Sequence, residues 1–343
     1  MTRRRICSGI VFLCMLAVVL LSACGMQPGA PQKYTGRGYK RTVITTPKMG
    51  DAKLIKDKII SGSDGHMILL NQDGTIFREY ADIPLNWLYV YEPENLVVAG
   101  SWGNEPHLVA LDDDWTVNRN EAIPMRSKTG TQMIDPTLVK ANGTYILTCV
   151  EIEGSINNGD AGAENGTYTV KCMKSENLSD WEMAADILSY PNNIEDGDMI
   201  FQNGTLYYFY EKEEFDKGPS SINVAISKDY GMSWQDEAQL LAADADHELA
   251  SVEPGKDGYV VYYSSDEDSA GASYDGAKAY RASFTEDFQA EDICEVDLGE
   301  DGGILLYDTK QARDGMYYLY ARNYCKENDL VLVFGSKKAE KQI

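Results

Sequence analysis

Acidic residues recur at a set place in this 343-residue chain. Asp135 stands eight residues before Gly143, and Glu195 and Asp196 stand nine and eight before Gly204. Glu248 lies slightly further ahead of Gly258, and Glu300 and Asp301 hold a similar place before Gly315 at looser spacing. A carboxyl group can give or take a proton near neutral pH once its surroundings shift its pKa. Two carboxyls a water's width apart can cleave a glycosidic bond: one protonates the leaving oxygen while the other activates water. Such chemistry needs acids distant in sequence to meet in one cavity.

The elements that would gather them are repeated. Each acid precedes a strand, a turn and a Tyr-rich strand, with the turns at Asn142-Gly143, Asn203-Gly204, Asp257-Gly258 and Asp314-Gly315. Asn-Gly and Asp-Gly reach the positive φ of tight hairpin turns. The turn glycines are 61, 54 and 57 residues apart, and a third strand is expected after each hairpin, at 168–173, 222–226, 277–282 and 330–334. An earlier copy begins at Trp87 and turns near Glu94-Asn95. Before it, three short strands are expected at 58–60, 66–70 and 75–80, around Asp73-Gly74. A small antiparallel sheet cannot bury both faces alone, so this period predicts an all-β fold, a β-propeller. Six segments can be counted. The first and last could merge into one blade closed by both termini, which leaves five or six blades. A β-sandwich accounts poorly for the glycine spacing.

One local pattern is specific. Ser227-Lys-Asp229-Tyr-Gly231-Met-Ser233-Trp234 matches the Asp-box of sialidases and related propellers, and Ser175 to Trp181 is a degraded copy. In such a turn the Asp caps backbone donors, Gly permits the bend and Trp packs between blades. The Asp-box marks fold rather than activity. Ile134-Asp135-Pro136 with Asn142-Gly143 and Tyr145 resembles the second blade of family 43 glycoside hydrolases, the arabinanase and xylosidase type. Ile194-Glu195 with Asn203-Gly204 and Tyr207-Tyr208 resembles the third. The resemblance spans about residues 85–335. It implies that Glu195 is the general acid and that Asp135 orients it and tunes its pKa. The family's general base, an Asp on the first inner strand, would fall near Asn86-Trp87, where the nearest acids are Asp82 and Glu92. The Gly-Pro that usually follows the acid is replaced by Asp196-Gly197.

A sialidase would instead need three arginines around a carboxylate and a Tyr–Glu nucleophile pair. Arg78, Arg119, Arg126, Arg281, Arg313 and Arg322 are the candidates, but the Arg-Ile-Pro pattern that opens many sialidases is missing. Trp87 and Trp102 could stack on a sugar ring, with Glu248 and Asp196 as further substrate contacts. No cofactor is expected. A Ca²⁺ in the axial channel would suit carboxylate-rich walls, though no ligand loop of defined spacing is visible. With three histidines and no Cys-x-x-Cys, neither a zinc nor a redox site is expected.

The front of the chain sets the compartment. Arg3, Arg4 and Arg5 precede an apolar run from Ile6 to Leu21, then Leu21-Ser22-Ala23-Cys24. This resembles the bacterial lipobox and implies a signal peptide over 1–23 and a lipid on Cys24 that anchors the protein on the extracytoplasmic side of the cell membrane. Residues 24–53 read as a flexible tether rich in Gly, Pro, Thr and Lys, residues 54–337 as the propeller and 338–343 as a tail. Cleavage removes three arginines and no acids, taking the net charge from −23 to −26. That charge argues against nucleic acid as a partner. The expected partner is a glycan, met by a monomer. The four cysteines outside the signal and lipid site suggest bridges, with Cys149 facing Cys172 across a hairpin and Cys294 with Cys325. The leading expectation is a glycoside hydrolase or a degenerate glycan-binding relative, with a non-enzymatic scaffold lipoprotein as the rival and an exo-sialidase behind both.

Overall fold

The computed structural model describes residues 32–35, 40–44, 49–101, 103–154, 166–214, 218–255, 257–267, 274–323 and 329–336. They form six sheets arranged as a six-bladed β-propeller. The innermost strands of blades I to VI are Met49–Ile55, Trp87–Tyr91, Gly130–Ala141, Asn193–Gln202, Asp246–Pro254 and Ile304–Ala312. Each touches the innermost strand of the next blade, and the sixth returns to the first, so the ring is closed. Among the described residues no helix is long and apolar enough to cross a membrane.

The hairpin signals work as their chemistry requires. Asn142 and Gly143 sit at φ 48° and 92°, and Asn203 and Gly204 at 51° and 81°, the left-handed pair that matches the twist of the flanking strands. Middle strands are buried on both faces, so alternate side chains enter different seams. In Thr144–Glu153, Ile146 and Val150 pack toward blade IV with Tyr208 and Ala225, while Leu147 and Cys149 pack toward blade II with Val98 and Leu108. The other seams are filled in the same way: Ile60 with Val97, Phe209 with Val261, Tyr262 with Val331, and Leu54 with Leu332. The fold therefore has six apolar cores between blades and leaves polar side chains free to line its axis.

Two expectations are corrected by this arrangement. The alternative of five blades falls, because the segment before Trp87 is a complete blade whose innermost strand, Met49–Ile55, begins in the stretch read as tether. Lys40–Ile44, from the same stretch, pairs antiparallel with Asp329–Ser336 as the outermost strand of blade VI. Gln32–Thr35 runs parallel to Ala290–Asp297 on the outside of blade V. The physical reason is burial: Ile44, Ala52 and Leu54 enter the core between blades VI and I. Both termini thus close blade VI. Residues 1–23, Cys24, Trp102, Cys325 and the tail 338–343 lie outside the described residues.

The second correction concerns Cys149 and Cys172. Cys149 pairs with Lys171, and Cys172 with Thr148, one position out of step. A single step turns a side chain to the opposite face, so Cys149 enters the seam with blade II and Cys172 the seam with blade IV. Both are free thiols.

Candidate functional site

Five of the six innermost strands carry a β-bulge at similar height. Pairing with the second strand slips between Met49 and Ala52, Ile134 and Thr137, Glu195 and Asp198, Leu249 and Ser251, and Leu306 and Asp308. The residues thrown out of the ladder include Asp51, Asp135, Asp196 and Tyr307. Bulges re-aim side chains in this way beside functional sites. Asp135 and Asp196 adopt φ 44° and 47°, a conformation uncommon for residues other than Gly, Asn and Asp. Gly197 must be glycine, since a Cβ there would meet the Tyr208 hydroxyl at 2.4 Å.

The bulges surround a cavity of about 340 Å³ whose wall includes Asp51, Lys53, Trp87, Asp135, Glu195, Asp196, Glu248, Tyr274 and Tyr307. Of the residues anticipated from sequence, Asp135, Glu195, Asp196, Glu248 and Trp87 are brought together here. Glu300 and Asp301 are not. Glu300 is ion-paired with Arg41 and blade VI presents Tyr307 to the cavity instead. Asp82 is exposed on a strand of blade I, and Glu92 sits at the opposite mouth, paired with Lys310. Asp51 supplies an acid from the first inner strand that the sequence reading lacked.

Many of these acids also join blades. Asp51 accepts the N–H of Leu88 at 2.9 Å, Asp135 that of Asp196 at 3.2 Å, Asp198 that of Val252 at 2.6 Å and Glu211 that of Leu249 at 3.2 Å. Lys53 is the cation among them. Its ammonium donates to the carbonyls of Tyr307 at 2.6 Å and Ala250 at 3.1 Å. Burial opposes its charge, but Asp51, Asp308, Asp198 and Asp196 together outweigh that and hold its pKa above the ordinary lysine value. Lys53 and Tyr89, whose hydroxyl donates to Asp198 at 2.9 Å, also line a second cavity of about 260 Å³. That cavity holds Asp308 and Glu253 as well, so the pair forms a wall shared by both spaces.

Burial dominates the proton chemistry. It pushes Asp135 well above the usual carboxylate range, helped by the charge of Asp196. It does the same to Asp196 and Glu211, each helped by Glu248, and lifts Glu248 to about 8 with Asp246 as the next cause. Such groups can carry a proton at neutral pH, as a general acid must. Oxygens of Asp196, Glu211 and Glu248 lie within 4.8 Å of one another, the one group among the described residues with the geometry to hold a metal ion.

The arginines are engaged elsewhere. Arg119 donates to the Leu178 carbonyl, Arg126 pairs with Glu105, Arg281 with Asp292 and Arg322 with Asp329. None of the described arginines lines the axial cavity, so the three-arginine clamp of a sialidase is not assembled by them. The Ser227–Trp234 turn lies between the third and fourth strands of blade IV. There Asp229 accepts the Ser233 N–H at 2.9 Å and Trp234 donates to the Gly231 carbonyl at 3.1 Å. Trp181 repeats the last contact in blade III, donating to Leu178 at 3.1 Å. A groove of about 570 Å³ between these two turns is larger than the axial cavity, but its acids, Glu176, Asp180, Glu182 and Asp229, come from blades III and IV alone, on the outer turns.

No family model matches the chain, and no curated protein matches it. Solved structures are similar to it at low identity. A thermostable family-43 glycoside hydrolase aligns at 13% identity and TM-score 0.49, over 84% of this chain and 89% of its own. The β-1,2-mannobiose phosphorylase of Listeria innocua, in complex with β-1,2-mannobiose, aligns at 11% and 0.48, over 88% and 92%. The sialidase of Trypanosoma rangeli, in complex with sialic acid, aligns at 12% and 0.42, over 88% of this chain and 59% of its own.

Proposed function

We propose that this chain is a lipid-anchored, extracytoplasmic propeller whose axial cavity takes a glycan and hydrolyses a glycosidic bond in it. The observation that carries the reading is the convergence of Asp51, Asp135, Glu195, Asp196 and Glu248, from four blades, on one cavity that Trp87 also lines. Glu195 protonates the leaving oxygen as its bond to the anomeric carbon breaks. Water attacks that carbon and gives its proton to Asp51. Asp135, bonded to the backbone N–H of Asp196, holds the turn that presents Glu195 and sets its proton affinity. Trp87 offers an apolar face to the sugar, and Trp102, one blade strand away in sequence, is proposed as its companion.

The test is turnover of a panel of aryl glycosides by the parent and Glu195→Gln. Loss of 10²-fold or more in kcat with substrate affinity kept is expected, and equal turnover removes Glu195 from the mechanism. A second reading, a propeller that binds glycans without cleaving them, is favoured by one observation: Asp51 and Asp135 each accept a backbone N–H of a neighbouring blade. Binding of glycans without turnover by the parent chain would select it. The anchor is tested separately, since Cys24→Ala should release the protein from the membrane fraction.

A further inference from the structure

We infer that Lys53 is the fixed counter-charge of Asp51, a positioning residue whose ammonium holds that carboxylate in the form able to take the proton of the attacking water. The inference rests on the hydrolytic reading above and adds the group that maintains its base. Asp51 and Lys53 stand two apart on Met49–Ile55. Ala52 between them enters the core, so its two neighbours leave the strand on the other side, and both line the axial cavity.

Neither side chain is free to swing. The two carboxylate oxygens of Asp51 accept the N–H of Ala52 at 2.6 Å and of Leu88 at 2.9 Å. The Lys53 ammonium donates to Tyr307 of blade VI at 2.6 Å and to Ala250 of blade V at 3.1 Å. A buried charge held in this way is poorly screened and acts on its neighbours from one place. It is also the single cation among the described residues on the cavity wall. Other acids compete for it: Asp308 from blade VI, and Asp196 and Asp198 from blade IV, the last also bonded by Tyr89 of blade II. Asp135 and Asp196 oppose the ionisation of Asp51 across the cavity, where Glu195 and Glu248 also stand. In the second cavity Glu253, Glu92 and Lys310 face Lys53, the last two paired with each other. Burial disfavours the charge of Asp51, and Lys53 is the strongest influence in its favour, ahead of the two N–H bonds. Without Lys53 the proposed base would keep its proton to higher pH.

The test is kcat/KM of an aryl glycoside from pH 4 to 9 for the parent, Lys53→Met and Asp308→Asn, since the acid limb of that profile reports the base. Lys53→Met keeps the stem and removes the charge, so the limb should move to higher pH by about one unit or more. Asp308 lies off the axial cavity, and Asp308→Asn removes a competitor for Lys53, so the limb should move to lower pH. If Lys53→Met does not fold, the direction of the Asp308→Asn shift decides. A limb that stays in place, or a loss in Lys53→Met that is uniform with pH, would make Lys53 a brace of the ring and overturn the inference. The carboxyl resonance of Asp51 in ¹³C-labelled protein, assigned by its absence in Asp51→Asn, reads the same two shifts without turnover. A parent that cleaves nothing while this resonance shifts as expected sinks the hydrolase and spares the counter-charge. Turnover whose acid limb neither variant moves does the reverse.

Discussion

Asp308, in the last blade, accepts the backbone N–H of Leu54, in the first, at 2.7 Å. The bond crosses the seam where the ring closes on itself, between residues 254 positions apart in sequence. Beside it, Lys53 reaches the Tyr307 carbonyl across the same seam. Replacing Asp308 with Ala leaves a buried N–H without its acceptor, which costs about 1–3 kcal/mol. Asp308→Asn keeps an acceptor oxygen and should cost clearly less. Urea denaturation of the two variants measures the difference, and equal losses would mean that the hydrogen bond is not what closes the ring.

Stability should depend on pH in a direction set by the buried acids. Burial raises Asp308 to about 7 and Glu248 to about 8, and raises Asp51 and Asp198 as well. An acid whose pKa is higher in the folded state contributes stability that is complete below its unfolded value near 4 and is lost as pH rises through the folded value. Asp229 and Glu94 are lowered by hydrogen bonds to Ser233 and to Lys140, so their small contribution is lost in acid. The melting temperature should therefore be highest near pH 4–5 and fall toward pH 8, by the equivalent of roughly 1–3 kcal/mol. Asp308→Asn should flatten the part of that fall between about pH 4 and pH 7. A melting temperature that rises from pH 6 to 9 contradicts the assignment.

Asp51 should be required for turnover if it takes the proton of the attacking water. Asp51→Asn preserves an oxygen for the Leu88 N–H, so the blade contact and the fold should survive. It cannot accept a proton, so kcat should fall by 10² or more while substrate affinity changes little. Exogenous azide or formate rescuing activity would support the role. An unchanged kcat would move the base elsewhere.

The repeat was legible because each hairpin announces itself: Asn142-Gly143 and Asn203-Gly204 adopt the conformation those residue pairs favour, and the acids before them do reach one cavity. The inner strand of blade I was hidden because its hairpin turns at Lys56-Asp57, with Lys56 at φ 49° and no glycine to mark it, although the other three strands of that blade were expected. Hiding that strand also hid Asp51 and Lys53. The spacing rule failed for Glu300 because the Gly302-Gly303 turn separates it from Ile304–Ala312, whose bulge between Leu306 and Asp308 puts Tyr307 on the axis. Carboxylates that bridge blades, such as Asp198 to Val252, could not be read at all, because the contact depends on which strand becomes the spatial neighbour.

Asp229 should matter for stability and not for ligand binding. Its carboxylate accepts the Ser233 N–H and hydroxyl and the Ser227 hydroxyl, holding the turn that seats Trp234 against the core between blades III and IV. Because the side chain is exposed, Asp229→Ala should cost about 0.5–1.5 kcal/mol. Calorimetric binding of glycans should match the parent. A change in binding larger than the loss of stability would tie this turn to the cavity.

The thiols test the alternation that builds every seam. Cys149 and Cys172 are adjacent in the ladder yet face opposite sides of blade III, so no bridge can join them without shifting the register of Thr144–Glu153 against Thr167–Ser175. Burial raises both thiols, Cys172 to about 12, which suppresses the reactive thiolate. Thiol reagents should therefore label these two cysteines only as the chain unfolds. Peptide mapping under non-reducing conditions that recovers Cys149 linked to Cys172 would show that the strands are paired one residue away from the register described, and with it that the two seams exchange their side chains.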